Sequence, residues 1–230
     1  MTITKAMSVV GSIGFPSKMP GMSYGLEAGA TCPSSKRSID KYGKKSVCWY
    51  CYAGGGKVNG GNYTYPSVVV GHKKRLQGIS HPLWVESMIT LINHYRTTGK
   101  VHKGKVCDTR YFRFHDSGDI IDLQHLEKII EVVKGCPEVK FWLPTHEPQI
   151  IKLYLLKYKK FPNNLTVRIS AELIGETANT VGNVPTSTVD LKEPNSKDNY
   201  NCPSLKQGNS CQNCRACWNS NAPNINYPLH

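Results

Sequence analysis

The fold is decided by residues 111–143, which read YFRFHDSGDIIDLQHLEKIIEVVKGCPEVKFWL. Around its start, Arg110–His115 is predicted to be a strand, with Phe112 and Phe114 on one face and Arg113 and His115 on the other. After Asp122, a residue type that caps helices, leucine, isoleucine and valine recur at helical spacing. A glycine and a proline then end the helix. The stretch therefore predicts one strand followed by one helix.

The same order repeats further along the chain. Val139–Leu143 is predicted as a second strand that ends at Pro144, a helix follows over Pro148–Lys159, and Leu165–Ala171 is predicted as a third strand. The three strand starts lie 28 and 26 residues apart (139−111 and 165−139). This spacing is typical of βα units, so the three strands are predicted to be parallel neighbours in sequence order.

Chain length limits how far this pattern can continue. A complete eight-unit barrel takes roughly 250 residues, whereas this chain has 230 and uses both ends for cysteine-rich loops. We therefore predict an α/β fold, either a partial (β/α) barrel or an open parallel sheet with cysteine-rich loops at both ends. Residues 1–230 are predicted to form a single domain. It consists of an N-terminal cysteine loop at 31–62, a βα core at 66–175 and a C-terminal cysteine segment at 200–219.

The chain is strongly basic, with 29 Lys and Arg against 16 Asp and Glu and a formal net charge of +13. Such a charge attracts acidic partners, including nucleic acid. No aromatic–basic ribonucleoprotein motif is visible, so charge alone supports a nucleic-acid partner. No stretch approaches 18 uncharged apolar residues, so no membrane span and no membrane partner are expected. Met1–Pro20 is expected to be mature protein rather than a signal peptide.

Nine cysteines, an odd number, fit a disulfide framework poorly. Seven of them lie in two short segments toward the ends of the chain. This clustering favours metal-bound thiolates in a reducing compartment over scattered structural thiols. The remaining two, Cys107 and Cys136, are expected to be buried free thiols.

The C-terminal segment carries the strongest chemical signal. Cys211-x2-Cys214-x2-Cys217 lets one loop direct three thiolates toward one centre, and Cys202, followed by Pro203, supplies a fourth. Bacterial ferredoxins use the same spacing, with a further Cys-Pro, for [4Fe–4S] clusters. Four thiolates also suit zinc, but zinc ribbons usually show two separated C-x2-C pairs. An iron–sulfur cluster is therefore the favoured interpretation, and zinc or disulfides are the alternatives.

A second, less complete set lies near the N-terminus, where Cys32-Pro33 precedes Cys48-x2-Cys51. Three thiolates would leave one iron of a [4Fe–4S] cluster open to a substrate or cofactor, so one or two clusters per chain are expected. Alternatively, these cysteines help to ligate a single shared metal or are structural. The glycine-rich run at 54–61 contains no phosphate-binding motif and is predicted to be a flexible turn.

A polar block, His115–Asp119, directly follows the first predicted strand. Ligands of parallel sheets bind beyond the carboxyl ends of the strands, and the next two strands also end in polar residues. We therefore expect these groups to meet at the carboxyl edge of the sheet, beside the N-terminal cysteines. Alternatively, Asp119 and Asp122 simply cap the following helix. The candidate catalytic residues are His115, Asp116 and Asp119, the candidate cofactor-binding residues are Ser117, Gly118 and Ser170, and His146 and Glu172 are expected nearby.

The run Cys48-Trp49-Tyr50-Cys51-Tyr52-Ala53 resembles the end of the radical S-adenosylmethionine signature, C-x3-C-x2-C. The resemblance implies that Cys48 and Cys51 are the last two ligands of a three-cysteine cluster. Cys32 matches the first ligand only with a 12-residue insertion, because 15 residues separate it from Cys48 instead of three. Ser117-Gly118-Asp119 is similar in position, but not in letters, to that superfamily's Gly-Gly-Glu-type motif. S-adenosylmethionine is accordingly a candidate cofactor.

A resemblance that spans nearly the whole chain is to the phage-encoded "gene product eighty-eight" proteins. It rests on Thr31-Cys32-Pro33, Cys51-Tyr52-Ala53, the His-Asp-x-Gly-Asp block at 115–119, Cys202-Pro203 and the C-x2-C-x2-C-Trp run at 211–218. The resemblance implies a viral iron–sulfur protein in the cytoplasm of a bacterial host. It does not imply a reaction.

Three function classes follow from these patterns. The first is an iron–sulfur protein that exchanges electrons with a donor or acceptor protein. The second is an enzyme with radical S-adenosylmethionine-like or other chemistry at an open cluster. The third is a zinc-binding protein that interacts with nucleic acid. Iron and sulfide content separates the first two classes from the third.

Overall fold

The structure is a computed structural model that describes residues 1–54, 65–191 and 199–229. The predicted glycine-rich turn at 54–61 therefore lies almost entirely outside the described residues. Strands and helices alternate along most of the chain. The strands are β1 (Met22–Tyr24), β2 (Val101–His102), β3 (Lys105–Val106), β4 (Tyr111–Phe114), β5 (Lys140–Thr145), β6 (Leu165–Ser170), β7 (Thr186–Asp190), β8 (Asn199–Asn201) and β9 (Asn224–Pro228). The α-helices are α1 (Ile3–Val10), α2 (Pro33–Tyr42), α3 (Pro66–Ile79), α4 (Trp84–Thr98), α5 (Leu123–Gly135) and α6 (Pro148–Tyr158).

The main sheet has seven strands in the order β1-β4-β5-β6-β7-β9-β8, and every neighbouring pair is parallel. β2 and β3 form a separate antiparallel pair. The predicted neighbours β4, β5 and β6 are confirmed, with Phe112 opposite Phe141 and Trp142 opposite Thr166. The sheet is open, with β1 and β8 at its edges, so the open-sheet alternative is correct and the barrel is not.

One face of the sheet packs against the helices. Phe112 and Phe114 of β4 are fully buried there, together with apolar residues of α4 and α5. α5 begins as predicted, because the Asp122 carboxylate accepts a hydrogen bond from the His125 N–H at 2.7 Å. Alternation along the strands directs every second side chain to this core. The chain therefore forms a large apolar interior on the helix face.

The opposite face is covered by the C-terminal cysteine segment. A second apolar cluster there contains Met19, Trp142, Cys217, Trp218 and Ile225. The Trp142 and Trp218 rings meet edge to face at 5.3 Å, and the Trp218 indole N–H donates to the Phe112 carbonyl at 2.9 Å. The segment is thus packed directly against the sheet.

β5 continues one residue past the predicted stop at Pro144. The Lys140 N–H donates to the Arg110 carbonyl next to β4, and the Phe141 N–H donates to the Asn164 carbonyl next to β6. The backbone N–H groups of the even-numbered residues of β5 therefore point toward β4. Pairing with β4 ends at Trp142. Pro144 therefore lies beyond the last residue paired with β4, and its missing N–H interrupts none of those pairs.

Within the described residues, no helix combines the length and the apolar character needed to cross a membrane.

Candidate functional site

A buried arginine on β6 fixes the path of the C-terminal cysteine segment. Arg168 is fully buried, and burial lowers the pKa of its guanidinium. Its Nε, Nη1 and Nη2 donate at 2.7–3.3 Å to the carbonyl oxygens of Ala216, Cys217, Asn219, Ala222 and Thr186. Thr166, two residues earlier on the same face, donates to the Trp218 carbonyl at 3.0 Å. Side chains of one strand therefore hold the loop that carries Cys217.

The structure brings the four C-terminal cysteines into one region. Cys202 directly follows β8, and its N–H donates to the Asn226 carbonyl at 2.8 Å. The Cys214 N–H donates to the Cys211 carbonyl at 2.8 Å, and Cys217 lies in a single 3₁₀ turn, Ala216–Trp218. All nine cysteines are free thiols. A disulfide pairing of these residues is therefore absent.

The thiols of this set influence one another electrostatically. Burial raises the pKa of Cys217 to about 12, a hydrogen bond from Tyr227 lowers it, and the charges of Cys202 and Cys211 raise it. Burial also raises the pKa of Cys211, and the charges of Cys202 and Cys214 add to this effect. Each sulfur is thus within electrostatic range of others in the set. Both buried thiols therefore hold their protons more tightly than an ordinary cysteine does.

Hydroxyl groups lie beside three of the four sulfurs. Tyr200 Oη is 3.2 Å from Cys214 Sγ, and Tyr227 Oη is 3.1 Å from Cys217 Sγ. The Cys202 thiol donates to Ser204 Oγ at 3.3 Å. If a sulfur is a thiolate, its hydroxyl neighbour can turn its O–H toward it as a donor. Sequence reasoning missed both tyrosines, because nothing in their spacing connects them with the cysteines.

The N-terminal cysteines lie at the carboxyl edge of the sheet. Cys32 precedes α2, and Cys48 and Cys51 lie in and just after the 3₁₀ turn Val47–Tyr50. The Val47 N–H donates to the Glu172 carbonyl at 3.0 Å, which ties this turn to the residues after β6. The predicted meeting of this loop with the carboxyl ends of the strands is therefore found in the structure.

The three N-terminal thiols also form an electrostatic group. Burial raises the pKa of Cys32 to about 12, and the charges of Asp119, Cys51 and Cys48 raise it further. Burial raises the pKa of Cys48 to about 12 as well, with contributions from Cys51 and Asp119. Of the polar block, Asp119 is thus the carboxylate that acts on these cysteines.

Asp119 joins the ends of β4 and β5. Its side chain is nearly fully buried and accepts hydrogen bonds from Thr145 Oγ1 at 2.7 Å, the His146 N–H at 2.8 Å and the Ile120 N–H at 2.7 Å. Burial raises the pKa of Asp119 to about 7, although these three hydrogen bonds lower it. The helix-cap alternative holds for Asp122 but not for Asp119. Burial also lowers the pKa of His146 to about 4.

His115 does not face the cysteines as predicted. Its backbone has a positive φ of 57°, which breaks the strand alternation. The ring packs 6.2 Å from Phe114 and 5.5 Å from His125 of α5, so it lies on the helix face and not on the face of Arg113. Neither ring nitrogen has a hydrogen-bond partner among the described residues, and burial holds the pKa of His115 well below its usual value.

The other residues of the block support the loop backbone. The Ser117 hydroxyl donates to the Leu26 carbonyl at 2.5 Å, so this candidate cofactor ligand is already engaged. Gly118 has a φ of 76°, and a Cβ there would come within 2.5 Å of Thr31 Oγ1. The Tyr52 hydroxyl donates to the Asp116 carbonyl.

Two further expectations concern cysteines and serines outside these groups. Cys136 is fully buried, as predicted, but Cys107 is partly exposed because it follows the solvent-exposed strand β3. Ser170 accepts a hydrogen bond from Ser187 at 3.2 Å at the end of β6. Ser170 therefore lies at the carboxyl edge of the sheet, but this contact does not indicate that it binds a cofactor.

Within residues 1–54, 65–191 and 199–229, no group of three or more His, Cys, Asp or Glu side chains could hold a metal ion as arranged.

The Gene product 88 family model matches residues 2–220. The chain belongs to the Gene product 88 family. This membership confirms the family resemblance drawn from the cysteine and His-Asp-x-Gly-Asp motifs. No curated protein and no solved structure shows significant similarity to the chain.

Proposed function

We propose that the protein is an iron–sulfur protein in which Cys202, Cys211, Cys214 and Cys217 ligate a [4Fe–4S] cluster. The observation that carries this proposal is the packing of three of these free thiols, Cys202, Cys211 and Cys217, in one apolar cluster on one face of the sheet, with Cys217 on a loop fixed by the buried Arg168. Four cysteines at ferredoxin-like spacing are the donor set that such a cluster takes.

The electrostatics of this set support an anionic cluster. A [4Fe–4S]²⁺ core with four thiolates carries a charge of about −2. Tyr200 and Tyr227 can donate to two of its sulfurs, and the Arg168 charge lowers the pKa of Cys217. Hydrogen bonds to the sulfurs and nearby charge both set the reduction potential of a cluster. Electron exchange with a donor or acceptor protein is the function that a fully ligated cluster serves.

The arrangement favours a cluster over a single zinc ion. A zinc site needs all of its ligands around one ion, whereas a [4Fe–4S] cluster spreads its four thiolates over four irons. Zinc ribbons usually carry two separated C-x2-C pairs, whereas this segment carries two consecutive C-x2-C steps, Cys211-x2-Cys214-x2-Cys217, as bacterial ferredoxins do. A zinc-binding protein that interacts with nucleic acid through its net charge of +13 remains the competing function.

A second candidate function is an enzyme that works at an open cluster. The observation that favours it is that the charge of the buried Asp119 carboxylate acts on Cys32 and Cys48 at the carboxyl edge, and that Cys51 acts on the same two thiols. If these cysteines hold a cluster, it supplies a site for a small ligand, of which S-adenosylmethionine is the candidate. Asp119 would then bind or orient a polar group of that ligand, and at a pKa of about 7 it can hold or release a proton near neutral pH.

Anaerobic purification followed by iron and sulfide analysis tests the first proposal. We expect iron and acid-labile sulfide, at about four of each per chain for one cluster or about eight for two. Cys214→Ser should lose cluster iron, whereas Cys107→Ser should keep it, because Cys107 lies outside both sets. Colourless protein with stoichiometric zinc would overturn the proposal in favour of the nucleic-acid alternative.

A further inference from the structure

The pair of strands β2 and β3 is separate from the seven-stranded sheet and forms a hairpin. Its cross-strand pairs are Val101 with Val106 and His102 with Lys105. Lys103 and Gly104 alone form the loop, and both have a positive φ, 49° and 76°, as a type I′ turn requires. A two-residue turn of this type holds the tip of the hairpin in one conformation.

The base of the hairpin is anchored on aromatic rings of the main body. The His102 ring stacks on the Phe15 ring at 6.3 Å. Lys100 Nζ lies 5.7 Å from the centre of the same Phe15 ring and 5.9 Å from that of Tyr95. The Cys107 N–H donates to the Lys100 carbonyl at 2.8 Å, which joins the two ends of the hairpin. Because its base is fixed, the hairpin holds its tip at a defined position.

Beyond this base the hairpin is exposed to solvent. Val101 and Val106 are 61% and 75% exposed, and they lie directly opposite each other, so both side chains are on one face. Lys103, Gly104 and Lys105 at the tip are exposed as well. A Cβ at Gly104 would meet no atom of the described residues within 4 Å. The tip and the valine pair are therefore accessible to a partner.

The hairpin is positively charged. Residues 100–107 contain three lysines and neither Asp nor Glu. Lys103 and Lys105 form no ion pair within the part of the chain that the structure describes. Lysine is also an unusual residue at the first position of a type I′ turn, which asparagine, aspartate or glycine normally occupies. The nearest acidic residue in the sequence, Asp108, is bound by two arginines, at 2.8 and 3.3 Å. The hairpin therefore presents a positive surface to an acidic partner.

The dimensions of the hairpin match the major groove of B-form DNA. Paired strands lie about 4.8 Å apart, and a groove about 12 Å wide and about 8.5 Å deep admits a two-stranded ribbon. Three residues from the base to the turn, at about 3.3 Å each, span about 10 Å, which is close to the depth of the groove. The major groove of A-form RNA is too narrow for side chains to read. Duplex DNA is therefore the acidic partner that this shape favours.

We propose that the β2–β3 hairpin binds duplex DNA by inserting its tip into the major groove. Lys103 and Lys105 donate hydrogen bonds to phosphates and base edges, and the exposed pair Val101 and Val106 contacts apolar groups such as thymine methyls. The net charge of +13 draws DNA toward the protein as a whole. The hairpin contributes no cysteine to either set, so this inference goes beyond the proposed iron–sulfur function and does not depend on it.

The test measures binding of the whole chain to a fluorescein-labelled DNA duplex, two helical turns long, by fluorescence anisotropy between about 50 and 200 mM salt. Lys103→Gln/Lys105→Gln is compared with Lys73→Gln/Lys74→Gln, which removes the same charge from exposed positions of α3. We expect the hairpin variant to weaken binding by about tenfold or more at low salt and to reduce the slope of log K against log salt by about 2. The α3 variant should bind within about twofold of the wild type, because salt screens distant charges.

A second measurement uses the wild type alone and compares the DNA duplex with an RNA duplex of the same sequence. We expect the RNA to bind several-fold more weakly, because its major groove does not admit the hairpin. Equal binding of the two duplexes, equal losses for the two lysine variants, or no binding of DNA at about 50 mM salt would each overturn the proposal. Polyglutamate that displaces the DNA at equal charge would overturn it in favour of an acidic protein partner. None of these results bears on the proposed cluster, which iron and sulfide analysis tests separately.

Discussion

Glu147, two residues after β5, binds Ser34 in the first turn of α2, 113 positions earlier in the chain. Its Oε1 accepts the Ser34 N–H at 2.6 Å, and its Oε2 accepts the Ser34 hydroxyl at 2.9 Å. Ser34 lies two residues after Cys32. A carboxylate just beyond the sheet therefore satisfies one of the N-terminal N–H groups of the helix that follows the first cysteine, and it helps to fix where that cysteine lies.

Replacing Glu147 with Ala should destabilise the protein. Glu147 is nearly fully buried, and its removal leaves the Ser34 N–H and hydroxyl without their acceptor. We expect the free energy of unfolding, measured by urea denaturation, to fall by about 1.5–3 kcal/mol. Glu138→Ala is the matched control, since its side chain is 75% exposed and should cost less than about 0.5 kcal/mol. Equal losses for the two variants would contradict the contact.

Arg168 should be the most sensitive position of the C-terminal site. Its replacement by Met leaves five backbone carbonyls without their donor. We expect the free energy of unfolding to fall by at least about 3 kcal/mol, because unsatisfied buried acceptors are costly. Lysine cannot replace the planar fork, so Arg168→Lys should recover only part of the loss. Arg37→Met, at a side chain that is 74% exposed, should be close to wild type. A stable Arg168→Met protein would show that the segment is held by other contacts.

The βα core was predictable, whereas much of the site was not. Strands β4, β5 and β6 and the Asp122 cap follow from alternation, helical periodicity and turn residues, which are local signals. β1, β7, β8 and β9 were missed because they are short or polar and are defined by their partners rather than by periodicity. The orientation of His115 was predicted wrongly, because one positive φ reverses the face of a side chain and leaves no trace in spacing. Arg168 binds the carbonyls of a loop about fifty residues later in the chain, and no local sequence pattern indicates such a contact.

Gly118 should tolerate no side chain. Its φ of 76° is strained for other residues, and a Cβ would lie 2.5 Å from Thr31 Oγ1 and 2.8 Å from Leu26 Cβ. Gly99 has a similar φ of 71° but open space around it, so Gly99→Ala measures the backbone strain alone. We expect Gly118→Ala to cost about 1–3 kcal/mol more than Gly99→Ala in thermal or urea unfolding, because crowding adds to the strain. If Gly118→Ala and Gly99→Ala lose the same stability, a side chain at residue 118 is not crowded by Thr31.

Asp119 should make stability depend on pH. Burial raises its pKa from the ordinary 3.8 to about 7 in the folded protein, so the folded state binds its proton more tightly than the unfolded chain. The stabilisation is therefore complete below about pH 4 and is lost as pH rises through about 7. The amide introduced by Asp119→Asn cannot titrate. As pH rises through this window, the free energy of unfolding of the wild type should therefore fall relative to that of the variant by up to about 1.4 kcal/mol per pH unit. Urea unfolding at a series of pH values measures it. A difference that is independent of pH between 4 and 7 would contradict the raised pKa.

The N-terminal cysteines lead to the prediction that bears most directly on chemistry. If Cys32, Cys48 and Cys51 hold the proposed cluster, adding S-adenosylmethionine to reduced, anaerobic protein should change its electron paramagnetic resonance spectrum, because three cysteines would leave one iron open to the ligand. Cys48→Ala should abolish this change and lower the iron content, while Cys136→Ala, in the apolar core away from both sets, should not alter the response. Formation of methionine or 5′-deoxyadenosine would further identify a radical enzyme. An unchanged spectrum without cleavage would exclude S-adenosylmethionine as the ligand. If Cys48→Ala also kept its full iron content, the N-terminal set would not hold a cluster, and the protein would act through the C-terminal cluster alone.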